Sequence, residues 1–215
     1  MAQRRKVGNL LALIVLATLV ERPTHPYELA ALLRERGKEG DLKIKWGSLY
    51  TVVQNLEKHG FVEATESIRQ GRRPERTVYA ITDAGRAELF DWLRELVSVP
   101  EREPTRFQAA LSVLAVLGPD EVLPLLRQRA ASLESQVETR RTELAEWGRQ
   151  LPRLFLVESE YDLALRTAEA DWLRGFVAEL RDGTFPGLAQ WRTFQETGHL
   201  PPELAALAER GRLTE

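Results

Sequence analysis

Ser48, Thr51, Asn55 and Lys58 recur at intervals of three and four, the spacing that gathers side chains on one face of a helix, and Tyr50 and Gln54 stand on its flank. Their chemistry suits a nucleic-acid duplex. Asn and Gln pair bidentately with adenine in the major groove, hydroxyls meet bases or phosphates, and lysine neutralises phosphate. Lys43 and Lys45 lie just upstream, beside a helix N-terminus that itself carries partial positive charge. A second basic set, Arg69, Arg72, Arg73 and Arg76, falls in the stretch RQGRRPER between two strand-like segments. It is placed to straddle a backbone or probe a minor groove.

Such a helix needs an inward face, and Leu49, Val52, Val53 and Leu56 supply one. Helical patterns are predicted over Leu10 to Val20, stopped at Pro23, and over Tyr27 to Arg36, with Pro26 at the first turn and Gly37 and Gly40 as the exit. The polar-faced helix runs from near Trp46, with Ser48 as its cap, to His59, where Gly60 ends it. Phe61 to Ser67 and Arg76 to Ile81 read as a hairpin, and Thr82 and Asp83 cap a further helix over Ala84 to Val97. Pro100 and Pro104 mark a linker.

The rest is helical in pattern. Thr105 to Leu117 and Asp120 to Leu151 are parted by Gly118 and Pro119 and expected to pack as a hairpin. A heptad seam runs through Leu123, Ala130, Val137, Leu144 and Leu151 with Leu126, Leu133, Arg140 and Trp147, broken only at Arg140. Glu158 to Asp182 repeats the pattern through Tyr161, Leu165, Ala168, Trp172, Phe176 and Leu180. From about residue 183 a tail is expected to dock or fray, helical only over Glu203 to Arg210. Two domains are therefore expected, 1–99 and 100–215. The fold class is mainly α with a small β-hairpin wing: an N-terminal winged helix-turn-helix followed by a C-terminal α-helical dimerisation domain.

Composition narrows the function. The 215 residues are 43% hydrophobic and 29% charged, enough for one sizeable core or two small ones. The net charge of −2 is uneven, because residues 1–100 hold 16 Lys+Arg against 13 Asp+Glu and residues 101–215 hold 14 against 19. A DNA-binding face must then be local. The absence of cysteine excludes disulfides, thiolate metal sites and cysteine nucleophiles, and accords with a cytoplasmic location. Arg4, Arg5 and Lys6 before an apolar run imitate a secretory signal, but Glu21, Arg22 and Pro23 follow where a small-x-small cleavage site is needed. The run is also shorter than the roughly 18 apolar residues of a membrane span.

No catalytic constellation emerges. His25, His59 and His199 are dispersed and no phosphate-cradling glycine loop or nucleophile elbow exists, so no enzyme, metal or cofactor is expected. Glu158, Glu160 and Asp162 read as acids decorating a positive helix end. The competing reading is a winged-helix adaptor that binds protein without DNA, which calls for exposed apolar residues where this chain has Lys, Arg, Asn and Thr.

Three segments, HPYELAALLRERG, KIKWGSLYTVVQNLEKHGFVEA and RRPERTVYAITDAGRAEL, together resemble the PadR family of bacterial transcription regulators. RFQAALSVLAVLGPDEV and LFLVESEYDLALRTAEADWLRGFVAEL resemble the helical dimerisation domain of its longer members. The resemblance implies a homodimer on a pseudo-palindromic operator in double-stranded DNA, usually a repressor released by a small molecule or other signal. It assigns Lys45, Ser48, Tyr50, Thr51, Asn55 and Lys58 to the recognition helix and Arg72 and Arg73 to the wing. It also implies an effector site between domains or at the dimer interface, for which Trp147, Tyr161, Trp172 and Phe176 are the candidate lining. Two-fold pairing is favoured independently, because one small wing-and-helix domain reads only a few base pairs.

Overall fold

The computed structural model describes residues 5–35, 46–68, 76–101 and 103–199. The chain divides into two compact units, Met1–Glu103 and Pro104–Glu215.

In the first unit α1 (Leu10–Glu21) is buried on most of its circumference through Leu11, Ala12, Val15, Leu16, Thr18 and Leu19, and it starts where the Asn9 side chain accepts the Leu11 N–H at 2.9 Å. Packed on it are α3 (Trp46–Lys58), β2 (Arg76–Ile81) and α4 (Asp83–Ser98), while α2 (Pro26–Glu35) lies against α3. β2 pairs antiparallel with β1 (Val62–Ile68), and a register shift between Ala64 and Glu66 marks a bulge. On the other edge of β2, Thr24 exchanges both backbone hydrogen bonds with Tyr79, at 3.0 and 3.1 Å, tying the α1–α2 connection to the hairpin.

Local chemistry sets the joints. Gly60, at φ +72°, closes α3: its N–H reaches the Glu57 carbonyl at 2.9 Å, and the Phe61 N–H reaches Leu56 at 2.9 Å. These are the two bonds of a Schellman motif, which needs the left-handed conformation that glycine adopts without strain. Thr82 caps α4 by accepting the Gly85 N–H at 3.0 Å and donates to the Gly60 carbonyl at 2.7 Å. Pro26 opens α2, with His25 Nδ1 accepting the Tyr27 N–H at 3.0 Å, which gives that histidine a structural task. Arg5 is spent inside the unit, its buried guanidinium paired with Glu88, Asp91 and Glu95 of α4 and lying over the Trp92 ring.

The second unit is an α-helical hairpin with short helices laid on it. α5 (Arg106–Ser112), capped by Thr105, precedes a 3₁₀ turn at Leu114–Val116; α6 (Pro119–Trp147) and α7 (Val157–Asp182) form the hairpin; α8 (Leu188–Thr197) follows. Its core joins Val122, Leu126 and Leu133 of α6, Ala170, Leu173 and Leu180 of α7, and Leu188 and Trp191 of α8. Arg140, the charged break in the seam, is half-buried and meets Asp162 across the hairpin at 3.9 Å.

Several expectations are corrected. The helix expected over Thr105 to Leu117 is split, because the α-turns stop at Ser112 and resume only as a 3₁₀ turn. The long helix ends at Trp147, before Gly148 and Pro152, leaving Leu151 outside it and Trp147 39% exposed. The region after 183 carries an unanticipated helix, α8, anchored by the Trp191 indole N–H on the Leu117 carbonyl at 2.8 Å. Residues 203–210 lie outside the described residues.

Gly85 carries the tightest approach in the first unit. A Cβ there would stand 2.0 Å from the Phe61 carbonyl oxygen, which is backbone and cannot swing away. Gly85→Ala is expected to lower stability by at least about 1–3 kcal/mol, the usual cost of overpacking, as measured by denaturant unfolding.

Candidate nucleic-acid interface

The site is built on α3. Leu49, Val52, Val53 and Leu56 are 0–4% exposed and enter one core with Leu29 and Leu33 of α2, Val15, Leu16 and Leu19 of α1, and Val62 of β1. With that stripe fixed inward, helical geometry turns the opposite face out. Tyr50 is 51% exposed, and Thr51, Gln54, Asn55 and Lys58 are exposed. Ser48 differs: α3 begins two residues before it, so Ser48 sits inside the first turn instead of capping it, and its side chain is half-buried and engaged.

The hairpin stands beside this face. Glu57 of α3 accepts a long hydrogen bond from the Tyr79 hydroxyl of β2, at 3.5 Å. Burial and the neighbouring Glu57 carboxylate both push the Tyr79 phenol above its ordinary range. Of the basic residues read from sequence, Arg76 opens β2, whereas Lys43, Lys45, Arg69, Arg72 and Arg73 lie outside the described residues. Trp172 and Phe176 line one cavity in the second unit, together with residues of α5 and α8. Trp147 and Tyr161, 39% and 66% exposed, are not part of that lining.

No catalytic or metal-binding geometry accompanies the described residues. Among them no group of three His, Asp or Glu is placed to hold a metal ion. The acids considered earlier are engaged with arginine: Glu160 with Arg153 at 2.9 Å and Asp162 with Arg166 at 2.7 Å. No described helix is long and apolar enough to cross a membrane.

Residues 15–91 match the family model of the transcriptional regulator PadR-like family. The chain is 34% identical over 96 residues to a probable transcriptional regulator of Mycobacterium tuberculosis, covering 43% of this chain and 45% of that protein. It is 28% identical over 93 residues to the negative transcriptional regulator PadR of Bacillus subtilis, covering 43% and 50%. The chain thus spans about half the length of these curated relatives. Solved structures of Bacillus subtilis PadR superpose more extensively. The complex with operator DNA covers 80% of this chain and 99% of that one, at TM-score 0.62 and 19% identity; the complex with p-coumaric acid has the same coverage, at 0.65 and 17%. At those identities the likeness is one of fold.

The Tyr79 contact predicts an alkaline limit. A phenol whose folded-state pKa is raised contributes stability that is complete below its unfolded value, about 10, and lost as pH rises through the folded value. Thermal melts of wild type and Tyr79→Phe between pH 8 and 11 should therefore differ in slope, the wild type losing more stability at the alkaline end.

Proposed function

Because this chain belongs to the PadR-like family of transcriptional regulators, we propose that it binds a two-fold operator in double-stranded DNA and represses transcription there until a small molecule releases it. The observation that carries this reading is the two-sided character of α3: an apolar stripe at 0–4% exposure backed by outward Tyr50, Thr51, Gln54, Asn55 and Lys58. In this reading α3 enters the major groove, where Gln54 and Asn55 reach base edges and Ser48, Thr51 and Lys58 meet backbone or base atoms. Lys43 and Lys45 hold phosphate near its N-terminus, and Arg69, Arg72, Arg73 and Arg76 of the wing track the flanking backbone or minor groove.

A homodimer supplies the two-fold symmetry. The α6–α7 pair leaves Leu125 and Leu165 50% and 54% exposed on one groove, apolar surface suited to a second copy of the same hairpin. The solved complexes of Bacillus subtilis PadR with operator DNA and with p-coumaric acid support a DNA partner and a small-molecule effector for this chain. The family is one of regulators, and the reaction-free reading and a cytoplasmic site of action accord with it.

Purified protein should select a discrete set of genomic fragments carrying inverted repeats. On such a fragment, Lys58→Ala should flatten the dependence of log K on log salt by about one unit, as expected for one lost phosphate contact. Reversing Lys58, Arg72 and Arg73 together should abolish binding with the dimer intact; binding that stays tight and salt-sensitive would defeat the assignment of this face. Leu125→Glu combined with Leu165→Glu should yield monomers by light scattering and weaken operator binding by at least tenfold, because both half-sites must be held together.

A further inference from the structure

The C-terminal unit contains an open cavity of about 860 Å³ between α5 with its following 3₁₀ turn, α7, and the segment leading into α8. That is within the size range of small-molecule sites. Its wall carries a run of aromatic rings: Trp172 to Phe176 at 5.3 Å between centroids, Phe176 to Phe185 at 5.5 Å, and Phe185 to Trp191 at 6.2 Å. The charged members of the lining are Asp171 and Glu179, with no Lys, Arg or His among the lining residues. Asp171 is shared with Arg174 at 2.8 Å, whereas Glu179 makes no ion pair with a described residue.

Gly175 is the second observation. It stands in the middle of α7, where glycine costs about 1 kcal/mol relative to alanine, yet an added Cβ there would meet nothing within 4 Å. Packing does not demand a glycine at this position. Its effect is to keep open a cavity that it lines.

Aromatic faces attract cations, and a carboxylate at the rim adds to that attraction. An anion buried among these rings would find no positive partner on the lining and would retain its desolvation cost. From this wall we infer that the cavity binds a bulky aromatic cation and serves as the effector site. A phenolic acid of the p-coumaric type is the wrong charge for it. The effector role rests on the regulator reading above; the binding itself does not.

Tetraphenylphosphonium and tetraphenylborate, aromatic ions of matched shape and opposite charge, separate the two charge classes in calorimetric titration of the full chain. The cation should bind saturably and at least about tenfold tighter than the anion, a difference of about 1.4 kcal/mol. Gly175→Leu should fill the cavity and weaken the cation at least tenfold with the thermal midpoint maintained; Ala115→Phe, from the opposite wall, serves if that variant fails to fold. Glu179→Gln should narrow the cation preference. Equal or tighter binding of the anion, or cation affinity unchanged by both cavity-filling variants, would overturn the site. Operator affinity measured by anisotropy with and without saturating cation tests the effector role: a shift abolished by Gly175→Leu supports it, and no shift overturns it. A chain that binds no duplex at all defeats the regulator reading, while the calorimetry still judges the cavity.

Discussion

Burial of Leu49, Val52, Val53 and Leu56 against α1, α2 and β1 is the constraint on which the N-terminal unit depends. Four side chains at 0–4% exposure leave α3 no freedom to rotate about its axis. The face that carries Thr51, Asn55 and Lys58 is then turned to solvent by geometry alone, without any polar contact having to hold it there. The same burial determines where the hairpin can stand, since α3 ends at Gly60 in a turn that delivers Phe61 and Val62 straight into that core.

The joints around this core are economical in residues. Thr82 caps α4 and at the same time accepts from and donates across the α3–β1 connection, so one hydroxyl coordinates the end of the recognition helix, the base of the wing and the start of the next helix. Gly85 permits the close approach that this arrangement requires. Thr24 adds a backbone bridge to the free edge of β2, holding the wing base from the other side. The polar face and the hairpin consequently move as one body, a useful property for reading a groove and its flanking backbone together.

The C-terminal unit follows a different logic. Its two long helices bury a narrow stripe and leave large apolar residues such as Leu125, Leu165 and Trp172 at half exposure. A hairpin of that kind does not satisfy its own surface. α8 folds back to cover one end, with Trp191 and Leu188 buried, and the aromatic cavity is what remains between it and α5.

Patterning carried most of the fold. The apolar spacing of Leu49 to Leu56, the breakers Pro23, Gly60 and Gly118–Pro119, and the β-branched run RTVYAI are local signals, and each element they mark is present to within a few residues. The polar face of α3 was legible for the same reason, since a helix with a defined inside has a defined outside. Other features depend on contacts distant in sequence. The engagement of Arg5 by α4, the bridge of Thr24 to Tyr79 and the close packing of Gly85 on Phe61 join residues whose proximity no periodicity announces. α8 was missed because its ten residues, flanked by Gly187 and Gly198, have weak intrinsic propensity and are stabilised by docking Trp191 on the Leu117 carbonyl. The aromatics illustrate the division most plainly: sequence marked Trp147, Tyr161, Trp172 and Phe176 as one set, and tertiary packing gathered only the last two, adding Phe185 and Trp191 from a segment with no recognisable pattern. Helical spacing determines which side chains share a face; only the folding back of a later segment decides which faces enclose a space.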